Sequence, residues 1–322
     1  MTEKSFVHLH NHSEFSFIDG SSLLDSMASI CNNLGMPAIA LTDHGNMYGA
    51  IDFYNACKTK NIKPIIGCEF YIAPKSRFDK DPSYSYDHLT VIAKNNLGYS
   101  NLIKLVSKGN LEGFYYRPRI DKEILKEHSE GLIVLSGCPS AELFKKIVSG
   151  DEKSIMDTID WYKEVFGDDY YLEIMRHEHV DNQEKVNQWI INNYKQLNVK
   201  IVATNDNHYE TKNDYEKEIL LKNVRSGSSN PRSDILEDNS YYIASPEEMR
   251  EKFKDVPEAC DNTLEIADKC NIEIDFSGTM IPEFKTPENK DSFSYLKELC
   301  EEGLIRKFPE PSEEITDRLN YE

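Results

Sequence analysis

The chain has 322 residues, of which 39% are hydrophobic and 29% charged, and a net charge of −19. That length suits one large α/β barrel or two ordinary domains, and no apolar run approaches the roughly 20 residues a membrane helix needs. Met1–Val7 lacks a secretory apolar stretch, so a cytoplasmic protein without membrane partners is expected, and its acidity excludes a strong general DNA binder, although bound cations can reverse the field locally.

Short β-rich runs alternate with amphipathic helical runs as far as residue 209. Ser5–His10 reads as a strand and Ser22–Leu34 as a helix with Gly35 as its C-cap. Ala38–Leu41 follows as a strand and Tyr48–Lys60 as a helix. Further strands are expected at Lys63–Ile72, His88–Ala93, Leu132–Leu135, Tyr170–Ile174 and Lys200–Ala203, with helices at Ser100–Gly109, Ser140–Val148, Glu152–Phe166 and Asn182–Leu197. This alternation predicts an α/β fold with a parallel sheet, closed or nearly closed into a barrel. From residue 210 the pattern changes: Asp214–Val224 reads as a helix and Gly227–Asp238 as a loop. Two helices follow, Ser245–Phe253, capped by Ser245 ahead of Pro246, and Val256–Cys270. Residues 275–292 read as an extended connector, Ser294–Phe308 as a last helix, and the remainder as an acidic end.

Residues able to bind metals gather at the strand ends. His10-Asn11-His12 places two imidazoles at i and i+2, which point the same way in an extended chain. Asp19 lies in the next loop; His44 of Thr42-Asp43-His44-Gly45, Glu69 of Gly67-Cys68-Glu69, His88, Cys138 of Ser136-Gly137-Cys138, and Asp206 and His208 follow along the chain. One histidine near a strand end is more often a hydrogen-bonded structural residue than a ligand, and one buried cysteine is usually a small hydrophobe. Here five of the nine histidines, two aspartates, a glutamate and a cysteine share that placement, and in a parallel barrel those ends converge on one face. Nine candidates exceed the quartet of a tetrahedral zinc site, so two or three ions sharing a carboxylate are inferred. The seven cysteines show no CxxC spacing and read as reduced thiols.

Other residues invite two readings each. Arg117 and Arg119 are candidates for phosphate contact, a guanidinium fork fitting phosphate oxygens, or else an exposed pair bridging to Asp or Glu. Arg176 and His177 follow a strand end and are candidates to face the site, while His177 and His179 also open a polar stretch that reads as solvated. Tyr115 and Tyr116 offer base stacking or plain aromatic packing, and His8 either supports the ligand histidines or only packs.

The ordered series HxH, TDHG, GxE, a mid-chain His, SGC and a final DxH resembles the PHP (polymerase and histidinol phosphatase) superfamily. The likeness is closest to the PHP domain of bacterial DNA polymerase III alpha subunits, through Phe6–Ser13, Ile18–Gly20, Leu41–Asn46, Lys63–Glu69, Gly113–Asp121, Leu135–Cys138, Leu172–Arg176 and Ala203–Asp206. The resemblance implies a distorted (β/α)7 TIM-like barrel over residues 1–272, with a helical extension from 210, and a connector over 273–322. Arg318–Glu322 resembles the approach to the family's palm domain, so a polymerase palm is expected beyond this chain. It also implies that His10, His12, Glu69 and Asp206 hold one ion, that Glu69 bridges to a second held by His88 and Cys138, and that Asp19, His44 and His208 hold a third. Zinc, manganese or iron would suit these ligands. The implied chemistry is phosphodiester hydrolysis, as 3′–5′ exonuclease proofreading, within a full-length subunit that synthesises DNA. Implied partners are a DNA primer 3′ end, the polymerase's own palm and thumb, a separate proofreading exonuclease subunit and other replisome subunits. Alternatives are a non-catalytic, metal-stabilised interaction module and a free-standing phosphatase like histidinol phosphatase.

Overall fold

The computed structural model describes residues 5–17, 19–83, 85–226, 239–278 and 284–322. The expected loop Gly227–Asp238 and part of the expected connector lie outside these. The elements run α1 (Leu24–Asn33), β1 (Ala38–Leu41), α2 (Ala50–Thr59), β2 (Lys63–Ile72), β3 (Asp87–Ala93), α3 (Asn96–Leu111), β4 (Arg119–Ile120), α4 (Lys122–Glu127), β5 (Leu132–Leu135), α5 (Glu142–Ser149), α6 (Glu152–Phe166), β6 (Tyr170–Ile174), α7 (Gln183–Leu197), β7 (Lys200–Ala203), α8 (Tyr215–Ser226), α9 (Pro246–Lys252), α10 (Pro257–Lys269), α11 (Ser292–Lys307) and α12 (Glu313–Tyr321). They fall into two compact units, Met1–Glu273 and Ile274–Glu322.

Local chemistry sets these boundaries. β1 and β5 are short apolar runs buried on both faces, as is β7 after its exposed first residue Lys200, as strands under helices must be. α6 starts where Asp151 accepts from the Ser154 amide, and it buries Ile155, Ile159, Tyr162 and Phe166 along one face. α1 ends at Gly35, whose φ of +67° only glycine adopts cheaply.

The sheet order is β1-β2-β3-β5-β6-β7, with β4 paired to the end of β2. The expected all-parallel sheet is corrected: β3 runs antiparallel to both β2 and β5, while the other pairs are parallel. A parallel return needs a long crossover, usually helical. The 73–86 connection, rich in Pro, Ser and Asp, forms no helix among its described residues, so β3 comes straight back. The opening segment also departs from expectation. Ser5–His10 makes no regular strand but seats itself between β1 and β7 through the bridges His8–Ile39 and Asn11–Asn207. The Asn11 side-chain amide donates to the carbonyls of His8 and Ala40, at 3.0 and 2.8 Å, and the Ala40 amide donates to the His8 carbonyl at 2.9 Å. With this segment as the seventh stave, the path closes into a distorted (β/α)7 barrel.

Val7, Leu9, Ala38, Ala40, Ile65, Ile92, Ile133, Leu135, Tyr171 and Val202 fill the interior and meet Ile266, Ala267 and Cys270 of α10. Polar bonds from Val7 N to Thr263 Oγ1 (3.1 Å) and from Lys63 Nζ to the Ala267 carbonyl (2.6 Å) fix α10 across the end where the parallel strands begin. The opposite end is left for the site. In the second unit, α11 and α12 start at Asp291 and Ser312 caps. The acidic end is thus helical rather than a tail, because Ser312 accepts from the Ile315 amide and Glu313 and Glu314 stand in the first turn. No helix among the described residues is long and apolar enough to cross a membrane.

Candidate metal centre

The reversal of β3 explains how His88, a residue near a strand start, joins residues at strand ends. An antiparallel strand delivers its first residues to the face where its parallel neighbours finish. The structure brings all nine expected residues to that face. Glu69, 1% exposed, is the hub. Its carboxylate lies 3.3 Å from His10 Nε2, 3.5 Å from His12 Nε2, 2.7 Å from His44 Nδ1 and 3.0 Å from His88 Nδ1. Asp206 Oδ1 stands 3.3 Å from His10 Nε2 and 3.1 Å from His12 Nε2, and its backbone takes φ +48° to reach in. Asp19 faces His44 Nε2 at 3.3 Å and His208 Nε2 at 3.9 Å. Cys138 Sγ is 3.5 Å from His88 Nδ1. The ring of His12 stacks between those of His44 and His208, at 4.1 and 4.4 Å.

These contacts are close but badly aligned. His10 Nε2, His12 Nε2, Asp19 Oδ1, His44 Nδ1, Glu69 Oε2 and Asp206 Oδ1 are buried and make no hydrogen bond. Buried polar atoms without partners are costly, so six together call for a ligand they can share. Among the described residues, three sets have ligand atoms within 4.8 Å of one another: His12–His44–His208, His10–His12–Glu69 and His44–Glu69–His88. Imidazole and carboxylate donors in this density fit divalent cations.

The electrostatics agree. Burial would raise the carboxyls, but the surrounding imidazoles overcome it and hold Asp19, Glu69 and Asp206 well below the usual range. Burial opposes the protonation of His10 and His44, yet their carboxylate neighbours lift both well above 6.5. His12 is pushed down to about 3, by burial first and then by His44 and His208. Burial keeps the Cys138 thiol protonated, so a cation binding there would displace a proton.

Glu173 of β6 was missed as a functional residue. It accepts from His10 Nδ1 at 2.8 Å, Thr204 Oγ1 at 2.6 Å and the Gly137 amide at 2.9 Å. This arrangement turns His10 Nε2 toward the cluster. The signal in the sequence was one acid within an apolar strand. Asp43 was also overlooked: it accepts from Ser13 N, Ser13 Oγ and Ser16 Oγ, tying down the loop that carries Asp19. His8 does support the ligand segment, indirectly. Its Nδ1 accepts from Asn207 Nδ2 at 2.9 Å, and Asn207 pairs through its backbone with His10 and His12.

Three residues fall elsewhere than expected. Arg119 is buried and donates to the carbonyls of Gly113, Arg77 and Asp79, so its guanidinium is committed to the loop and not to a phosphate. Arg176 bonds the Lys252 carbonyl and Asp255, at the end of α9. His177 is buried rather than solvated, stacked 3.9 Å from Tyr241, whose ring in turn meets His208. Arg117 does border the site, 6.0 Å over Tyr71, whose ring stacks on His44. His179 is exposed.

The PHP domain family model matches residues 8–177, more than half of the chain and most of the metal-site residues. The chain belongs to the PHP domain family. This PHP domain is 41% identical over 325 residues to the DNA polymerase III subunit alpha of Borreliella burgdorferi, covering 98% of the chain and 28% of that subunit. It is 39% identical to that of Treponema pallidum over 329 residues, covering 100% of the chain and again 28% of the relative. The chain therefore spans less than a third of the length of these relatives. Among solved structures, a protein of Bifidobacterium adolescentis provisionally described as a metal-dependent phosphoesterase aligns with a TM-score of 0.43 and 13% identity, over 84% of this chain and 97% of that one.

Proposed function

We propose that the Glu69 cluster binds two or three divalent cations and hydrolyses phosphodiesters at a DNA 3′ end, as the PHP domain of a DNA polymerase III alpha subunit. The observation that carries this is the convergence at one mouth of the barrel of six buried donor atoms that make no hydrogen bond. His10, His12, Glu69 and Asp206 would hold one ion, Glu69 with His88 and Cys138 a second, and Asp19, His44 and His208 a third. Zinc, manganese and iron all suit this donor set. When bound, such ions supply Lewis acidity toward phosphoryl oxygens and lower the pKa of water.

The chain's own residues do the positioning. Glu173 orients His10, Asp43 orders the Asp19 loop, and Arg117, over Tyr71 at the rim, would meet a phosphate oxygen, a role its bonds to main-chain carbonyls deny Arg119. The relatives named as DNA polymerase III subunit alpha support a part in a longer chain that synthesises DNA, and a primer end, a palm and thumb, and a proofreading subunit are proposed as its partners. Residues 273–322 would serve as a connector to the palm. The test is release of a labelled 3′ nucleotide by the chain with manganese or zinc, compared with His12→Ala. If both leave the label in place, hydrolysis is wrong.

A second reading draws on the depth of the cluster, where His10 and His12 are fully buried. Here the ions stabilise a docking module. A chelator that lowers the melting temperature of a chain with no hydrolytic activity favours it.

A further inference from the structure

Three loops border the mouth at His44. Residues 13–17 and 19–20 carry Asp19, 3.3 Å from His44; residues 42–49 carry His44 itself; and residues 113–118 approach so closely that a Cβ on Gly45 would lie 2.7 Å from Pro118. Two of these loops hold aromatic rings out into solvent. Phe17, two residues before Asp19, is 61% exposed, and Tyr48, four residues after His44, is 62% exposed. Their ring centroids are 6.3 Å apart. Phe15 supports them from beneath, 6.2 Å from Phe17 and packed on Gly49, where an added Cβ would meet its ring at 2.9 Å.

One buried amide fixes the pair. Asn46 Nδ2 donates to the carbonyls of Phe15 and His44 at 3.0 Å each, and Asn46 Oδ1 accepts from the Tyr48 amide at 3.1 Å. Both loops are thereby stapled together. The ring tips are wet while the backbone beneath them is locked, which is how a preorganised contact surface is built.

We propose that Phe17 and Tyr48 form a stacking platform for the terminal bases of a single-stranded DNA end whose phosphodiester lies at the Glu69 cluster. This rests on the hydrolytic reading above. Every base offers a π face, so stacking holds any sequence. A chain of net charge −19 gains little from general attraction to phosphate away from the cluster, so flat contacts add affinity along the strand beyond the cations and Arg117. A duplex end keeps its base faces stacked inside, so the platform favours a frayed or single-stranded terminus.

The test uses the chain with Phe17→Ala/Tyr48→Ala and with Phe17→Leu/Tyr48→Leu, which keeps apolar bulk but removes the rings. Both positions are exposed, so folding should tolerate the changes. The substrates are a 3′-labelled oligodeoxynucleotide with manganese and the same oligonucleotide with abasic terminal nucleotides. On the normal end, KM rises roughly tenfold or more in both variants while kcat holds. On the abasic end the wild type already shows the raised KM, and the variants add nothing. Equal losses on both ends overturn the platform by showing that the rings only support the fold. Unchanged kinetics overturn it in favour of another occupant, such as a protein partner. If the wild type cleaves neither oligonucleotide, the hydrolytic reading fails by itself. Fluorescence anisotropy then decides the platform: a base-dependent loss of affinity in the variants supports it, and equal affinities overturn it.

Discussion

Glu173 sits in Tyr-Tyr-Leu-Glu-Ile, where all its strand neighbours are apolar and buried. Its three hydrogen bonds explain why an acid is kept there: it presents a charged acceptor to His10 and so strengthens the ring as a donor toward a cation. Glu173→Gln keeps the shape and removes the charge. Zinc affinity measured by calorimetric titration should fall about 10- to 100-fold; an unchanged affinity would remove Glu173 from the positioning role. The two loop arginines separate by stability. Arg119→Met takes the guanidinium from three main-chain carbonyls, of which Gly113 alone keeps the Arg119 amide as a donor, and should cost about 2 kcal/mol or more in urea unfolding. Arg117→Met, at the rim, should stay within about 0.5 kcal/mol of wild type.

At the level of elements, Glu142 at the start of α5 joins three pieces of the chain. It accepts from Lys122 Nζ at 3.0 Å, from Lys146 Nζ at 2.6 Å and from Thr158 Oγ1 at 3.3 Å. Burial alone would raise its carboxyl, but the two lysines outweigh burial and hold it below its ordinary 4.5. A depressed carboxyl contributes stability above its unfolded pKa and loses it as pH falls through the folded value. Melting temperature should therefore drop as pH is lowered from 4.5 toward that folded value, and Glu142→Gln should flatten this slope while lowering stability at neutral pH. Most of these elements were legible in the sequence. Lys63–Ile72, Leu132–Leu135, Glu152–Phe166, Tyr170–Ile174 and Lys200–Ala203 have the expected bounds, because apolar runs and caps are local signals. What stayed hidden is non-local. Periodicity carries no information on strand direction, so the reversal of β3 could not be read from it. β4 and α4 are too short to show a period, at two and six residues. The Tyr-Arg-Pro-Arg pattern did not say which arginine is buried, and Glu173 lacked a ligand-type neighbour to mark it. The nine convergent residues were legible because barrel topology sends the ends of parallel strands to one face, and His88 arrived there by the strand reversal that the sequence concealed.

For the whole molecule, the proposed metal binding would link folding to cations. Its ligands come from the opening segment, four strands or their ends, and the loop after β7, so an ion bound there ties the barrel across its full circumference. Zinc or manganese at 100 times its Kd should stabilise the folded chain by about 2.7 kcal/mol, seen as a rise in melting temperature that a chelator reverses. The absence of any shift would mean that the ions do not bind. The closure of the barrel also sets a timetable. The bond from Asn207 Nδ2 to Asn11 Oδ1 spans 196 positions, so the first stave must wait for the last. At about 5–20 residues per second, that wait on the ribosome is roughly 10 to 40 seconds. Throughout it, His10 and His12 are already made while Asp206 and His208 are not. On the proposed metal binding, a nascent chain would hold only part of the ligand set, and tight capture of cations would be deferred until translation has passed residue 208.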